Sequence, residues 1–168
     1  IAPRAQFDHA LVEHCRDMGI TIHEGCAFES ITHHDTNGIT VRVESLGELT
    51  VDYVVAADGM WSPVRKSLGL STPGYLGEWH AFRQYIGNVH GSANEKLHIW
   101  FDKDLLPGYA WSFPLPDNRV NFGFGILRTS DRSTKYMNDL WRDLLTRPYI
   151  TETLGEHFVP EDRHTAWP

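Results

Sequence analysis

The chain has little cysteine: two in 168 residues, Cys15 and Cys26. They lack CxxC spacing, which argues against a disulfide framework and against a zinc site, and both read as reduced thiols of an intracellular protein. There is no run of Lys and Arg, and the formal charge is −7. That balance argues against a nucleic-acid partner, whose footprint is a basic patch. No apolar stretch approaches the roughly 18 residues of a membrane helix, and nothing at the start has the pattern of a secretory leader. The ten histidines include no HxxxH pair with a carboxylate base, so they read as surface residues and no metal is expected. GxSxG is missing, which leaves serine-hydrolase chemistry without support. Repeats and low-complexity tracts are absent too. What remains, 41% hydrophobic and 22% charged residues, is a soluble globular composition with enough chain for a core.

Phe7, Ala10, Leu11, Cys15 and Met18 recur at helical spacing, with Gly19 as a stop; Glu13 and Asp17 fall on its solvated face. Ile20–His23 then reads as a short strand. A strand over 27–33, the Asn37-Gly38 hairpin signal, an alternating strand over 39–44 and a turn at Gly47-Glu48 into Leu49–Val51 describe a three-stranded antiparallel meander. Tyr53–Ala57 is continuously apolar, as in a strand covered on both faces of a parallel sheet. After Gly69 the pattern changes. Strands are expected over 79–89, 96–101, 109–113 and 119–126, forming an antiparallel sheet, followed by an amphipathic helix over 131–145 that stops near Pro148. The expected fold class is α/β (α+β): an incomplete parallel-sheet domain with a meander insertion over residues 1–70, and an antiparallel-sheet subdomain over 71–168. The chain opens mid-pattern and its last residues suggest no closing element, as in a piece of a longer protein.

The apolar strand breaks at Asp58-Gly59. In open parallel sheets ligands sit beyond the carboxyl ends of the strands. Gly59 permits a sharp turn, Ser62 suits an N-cap, Pro63 suits the first helical position, and Arg65 follows in the first turn. This combination offers N–H groups, a hydroxyl and a guanidinium to an anion, with phosphate the natural candidate. A lone Asp-Gly is a common turn; the whole string after a buried strand points further.

The string VVAADGMWSPVRKSLGL resembles the second cofactor motif of FAD-dependent oxidoreductases of the geranylgeranyl-reductase and aromatic-hydroxylase type. RAQFD followed by Leu11 is similar to that family's RxxFDxxL, and PGYAWSFPL to its PxxYxWxFP, with the first proline displaced by one position. The resemblance implies FAD contacts from Arg4, Asp58, Gly59, Ser62 and Arg65, and substrate contacts from Tyr109, Trp111 and Phe113. It identifies no catalytic acid or base. It implies NAD(P)H as electron donor and reduction of an alkene in a hydrophobic, prenyl-type substrate, with peripheral membrane contact for a cytoplasmic protein. The other readings are an aromatic monooxygenase and a non-catalytic module that binds a hydrophobic ligand. The family's GxGxxG would precede Ile1 and its late Gly-Asp motif would follow Pro168. The similar string at Gly123–Arg128 lacks the third glycine and a suitable helix, and is rejected as a dinucleotide fingerprint. Alone, the chain is expected to bind FAD weakly or not at all.

Tyr109, Trp111 and Phe113 share one strand face by alternation, as do Asn121, Gly123 and Gly125 on the next strand. Aromatics beside side-chain-poor positions suggest a slot for a ring or an isoprenoid chain. Packing of these aromatics in a sheet core is the plainer alternative. Arg83 and Arg119 are candidates to hold an anionic substrate end. Gln84 and Tyr85 alternate, so at most one of them faces a site.

Overall fold

In the computed structural model the described residues are 2–36, 38–129 and 131–167, with the side chain of Trp167 excepted. Asn37 of the expected hairpin turn lies outside them. The chain divides into two compact units, Asp8–Tyr75 and Ile1–Phe7 together with Leu76–Pro168.

Helix α1 spans Arg4–Asp17. Gly19, at φ +81°, ends it, and the Ile20 N–H reaches back to the Cys15 carbonyl at 3.1 Å, so the last carbonyls are satisfied in a left-handed cap. Its apolar stripe, Phe7 and Leu11 included, is exposed. Strands β1 (Phe28–Asp35), β2 (Gly38–Val43) and β3 (Gly47–Val51) form the antiparallel meander in that order, as the alternation foretold. On its wet face Thr40 and Thr50 pair hydroxyls at 2.9 Å and Arg42 meets Glu48 at 2.8 Å; such cross-strand pairs fix register. Short helix α2 (Pro63–Ser67) closes the unit.

Two expected strands of this unit carry no ladder. Ile20–His23 and Tyr53–Ala57 have no strand assignment, and Tyr53 and Val55 are 87% and 88% exposed. The physical reason is that a strand exists only by pairing. Every pairing among the described residues is antiparallel, and none involves these segments.

The other unit is built on β4 (Trp79–Gly87), β5 (His98–Trp100), β6 (Tyr109–Leu115) and β7 (Arg119–Leu127), all close to the expected bounds. Helix α3 (Thr134–Leu144) begins after Ser133, whose hydroxyl accepts the Tyr136 N–H. Three elements at the end were not foreseen. Pro148 does not merely stop a helix; it occupies the first position of α4 (Pro148–Leu154), where a missing N–H costs nothing. β8 (Val159–Pro160) and β9 (Thr165–Trp167) both pair with β4, where no element was expected over the last residues. Sheet order is β5-β6-β7-β4-β8, with β9 also on β4.

Register fixes which residues share a face. Phe82, Phe124 and Ala110 lie opposite one another, as do Gln84, Phe122 and Ser112. That face is the core: Phe122, Phe124, Val120 and Ile126 are fully buried with Met137 and Leu144 of α3 and Ile150 and Leu154 of α4. Trp141 meets Phe122 edge-on at 5.5 Å. The helices thus cover one face of the sheet and leave the other to be judged on its own residues. No helix among the described residues is long and apolar enough to cross a membrane.

Candidate functional site

The Asp-Gly loop is locally self-sufficient. Gly59 takes φ +76°, a turn open to glycine at no steric cost. The Asp58 carboxylate accepts the Val64 N–H at 3.2 Å. The Ser62 hydroxyl accepts the Arg65 N–H at 2.9 Å and donates to Asp58. Pro63 has no N–H to offer. Arg65 donates its guanidinium to the Met60 carbonyl. The Asp58 carboxyl is held below the usual carboxylate range, first by the Ser62 hydroxyl, then by the Val64 N–H and the Arg65 charge. It is exposed and ionised, while Ser62 is buried.

This geometry corrects one expectation. The phosphate seat at the start of α2 is filled by the protein's own side chains: Asp58 and Ser62 consume the N–H groups an anion would need. A second anion there would meet the Asp58 charge. What the loop offers outward is an ionised acceptor, which suits hydroxyl donors such as those of a ribityl or ribose group. Arg4, the first residue of α1, is exposed.

In the other unit, the open sheet face carries the aromatic residues. Tyr109 lies opposite Gly125, Trp111 opposite Gly123, Phe113 opposite Asn121. Continuing across β7, these rows reach Ala81, Arg83 and Tyr85. Ring centroids step along β6 at 5.9 Å from Tyr109 to Trp111 and 6.1 Å from Trp111 to Phe113. Phe101 extends the row, 5.7 Å from Tyr109. Phe101 is 65% and Tyr109 41% exposed, against fully buried Ala110 and Ser112 on the other face. The aromatics are therefore not the sheet core.

The slot expected over the glycines is narrower than the sequence suggests. The Trp111 indole lies on Gly123: a Cβ there would fall 2.4 Å from indole Cζ2 and 2.5 Å from the Phe82 carbonyl oxygen. Trp111 Nε1 donates to Asn121 Oδ1 at 3.4 Å. Alternation placed the aromatics and glycines on one face; it had no signal for an indole folding over the neighbouring strand.

Of the two arginines considered for an anion, Arg119 grips Glu161, with Nε–Oε1 at 2.6 Å, and lies over the Tyr85 ring at 5.2 Å. Arg83 covers the same ring at 5.3 Å. Tyr85 is the member of the Gln84–Tyr85 pair on the open face. Gln84 is buried on the core side and donates to the Asp162 carbonyl.

Comparison with known proteins places these features in context. A family model described as FAD binding domain matches residues 1–104, and one described as geranylgeranyl reductase catalytic domain matches residues 79–155. A menaquinone reductase of Mycobacterium tuberculosis is 27% identical over 161 residues, covering 88% of this chain and 36% of that protein. A digeranylgeranylglycerophospholipid reductase of Methanococcus vannielii is 34% identical over 106 residues, 61% of this chain and 27% of that protein. The crystal structure of a geranylgeranyl bacteriochlorophyll reductase-like protein from Thermoplasma acidophilum has the same fold, with a TM-score of 0.74, 16% identity, and coverage of 97% of this chain and 41% of that one. The chain thus spans about a third of the length of the curated relatives it matches.

Proposed function

This chain belongs to the FAD-binding domain family, and from that premise we propose that it forms part of an FAD-dependent reductase acting on a double bond of a hydrophobic, prenyl-type substrate. The observation that carries the reading is a coincidence of place. The stretch that matches a geranylgeranyl reductase catalytic domain, residues 79–155, is the stretch that folds into a sheet with one face buried under helices and the other lined by Phe101, Tyr109, Trp111 and Phe113. An open apolar face of this kind suits a flat or extended apolar ligand.

Within this reading, residues 1–70 contribute part of the flavin domain and residues 71–168 the substrate domain. Asp58 accepts a sugar hydroxyl of the cofactor, Ser62 holds Asp58 in place, Gly59 gives the backbone room, Arg65 supplies positive charge beside it, and Arg4 is a further contact to the cofactor. Bound FAD would supply the redox chemistry, with NAD(P)H as the source of the hydride and solvent as the source of the proton that together saturate the alkene. Tyr109, Trp111 and Phe113 hold the substrate and exclude water from it. A lipid-borne prenyl substrate puts the protein at a membrane surface, as a peripheral contact.

The test uses the full-length protein. It should purify yellow and, without oxygen, convert a geranylgeranyl lipid into a product heavier by two hydrogens per double bond, with NAD(P)H consumed in step. A colourless protein that takes up no added FAD would refute the reading in favour of a binding module. Oxygen uptake driven by aromatic acids instead would point to hydroxylation.

A further inference from the structure

Trp111 is the central ring of the aromatic row, and its orientation rests on several contacts that differ in kind. Tyr109 meets it edge-on at 61° and Phe113 lies nearly parallel at 25°. Gly123 gives it a floor, with Cζ2 and Cε2 directly above the missing side chain, and Cζ3 reaches to 3.9 Å from where a Gly125 Cβ would be. These contacts are apolar and hold the ring plane. The packing against Tyr109 and Phe113 does not distinguish the ring from its half-turn about Cβ–Cγ, and the second side-chain torsion of tryptophan is broad and roughly two-fold. Two features do distinguish them, the seat of the six-membered ring on the glycine floor and one polar contact. The indole N–H points at Asn121 Oδ1, 3.4 Å away, and a half-turn would point it elsewhere. The same half-turn would lift the six-membered ring off Gly123 and Gly125 and open the floor between β6 and β7.

We propose that Asn121 is a positioning residue that latches the Trp111 indole over the glycine floor, and thereby sets how deep a hydrophobic chain can settle on this face. The specificity half rests on the substrate reading above; the latch does not. Asn121 is suited to the task by position. It shares the open face with Gly123 and lies between Phe113 on β6 and Tyr85 on β4, where its side chain reaches the indole without covering the floor. Removing the acceptor leaves a partly buried indole N–H unpaired in the latched orientation, and that cost falls only on the orientation that covers the floor. The floor then becomes available to a longer or bulkier chain.

The test has two arms on the full-length protein. In the first, 5-fluorotryptophan is incorporated and the Trp111 fluorine resonance is assigned with Trp111→Phe. Asn121→Ala should move or split that resonance and leave the other tryptophans in place, whereas Asn121→Asp, which keeps an acceptor, should preserve a single line. In the second, kcat/KM is compared for geranyl- and geranylgeranyl-bearing lipids; Asn121→Ala should change that ratio by about three- to tenfold, and Asn121→Asp should restore it. An unshifted Trp111 line in Asn121→Ala overturns the latch. A shifted line with an unchanged ratio overturns the specificity role. Wild-type protein that turns over neither lipid refutes the proposed function, and the fluorine arm still decides the latch.

Discussion

Arg147, at the junction of α3 and α4, offers the sharpest test of how the second unit is held together. Its guanidinium faces three carboxylates: Asp102 at 2.6 Å, Asp104 at 2.6 Å and Asp143 at 2.6 Å, with a further bond from Nε to Asp143 at 2.8 Å. Tyr149 donates its hydroxyl to Asp102. One cation thus ties the turn before β6 to the helix pair that covers the core. The pairs are not equal. The Arg147 side chain is 17% exposed, and its partners rise from 25% at Asp102 through 44% at Asp104 to 58% at Asp143. Exposed ion pairs contribute about 0–1 kcal/mol, whereas a charged hydrogen bond shielded from water contributes about 1.5–3 kcal/mol. Most of the effect therefore comes from Asp102, and Arg147→Ala should destabilise by about 2–3 kcal/mol at neutral pH. For a chain of this size that is a fall in Tm of roughly 5–10 °C. The Arg147 fork holds the Asp104 carboxyl below its ordinary value of 3.8. A carboxylate lowered on folding stabilises above its unfolded value and loses that contribution as pH falls through the folded one. The share of the gap between wild type and variant that comes from Asp104 should therefore be lost below about pH 3.8. Urea unfolding followed by tryptophan fluorescence at neutral and acid pH measures both. Arg147→Lys, which keeps the charge and loses the fork, should fall between. A neutral-pH difference under about 0.5 kcal/mol, or one that widens in acid, would refute this account.

Other expectations follow from single side chains. The Ser112 hydroxyl is fully buried with no hydrogen-bond partner among the described residues, so Ser112→Ala should stabilise by about 1 kcal/mol in urea unfolding; a loss of stability would reveal a partner in solution. His164 stacks on Phe82 at 4.5 Å and lies 5.5 Å from Trp141, and burial, then Arg163 and Arg142, push it below the ordinary 6.5. Its contribution is complete above that value and is lost as pH falls from it through the lowered one, so His164→Phe should flatten the decline in stability below about pH 6.5; an unaltered slope would assign the decline to other groups. Asp58→Ala in the full-length protein should raise the FAD dissociation constant on the order of tenfold. Flavin fluorescence titration checks it, and unchanged affinity would remove Asp58 from the cofactor site.

The sequence was most legible where a residue's partner lies in the same unit. Alternation located β6 and β7 because their pairing partners are adjacent in the chain, and it correctly separated Gln84 from Tyr85. The amphipathic spacing of Met137, Leu140, Trp141 and Leu144 identified α3 because that stripe meets the sheet directly. Tyr53–Ala57 shows the limit. Its apolar composition reads as a strand covered on both sides, yet Tyr53 and Val55 are exposed and no strand among the described residues pairs with it. Pro148 shows another: the same ring that cannot continue one helix is well placed to begin the next, and only the following residues decide.

The Asp-Gly loop needs the same care, because its residues already have a structural reason to be what they are. Helix α2 has five residues, too few to persist by propensity alone. It stands because both ends are satisfied: Asp58 and Ser62 take the first N–H groups, and at the other end the Leu70 N–H returns to the Arg65 carbonyl across Gly69 at φ +70°. A cap of this kind would account for Asp58 and Ser62 without any ligand. What it does not require is charge, since a neutral amide caps as well as a carboxylate. Asp58→Asn therefore separates the two roles. It keeps an acceptor for the Val64 N–H and weakens the hold on a sugar hydroxyl. If FAD affinity drops while α2 remains formed, the carboxylate acts on the cofactor; if affinity and the local fold fall only together, and only in Asp58→Ala, its work is confined to the cap.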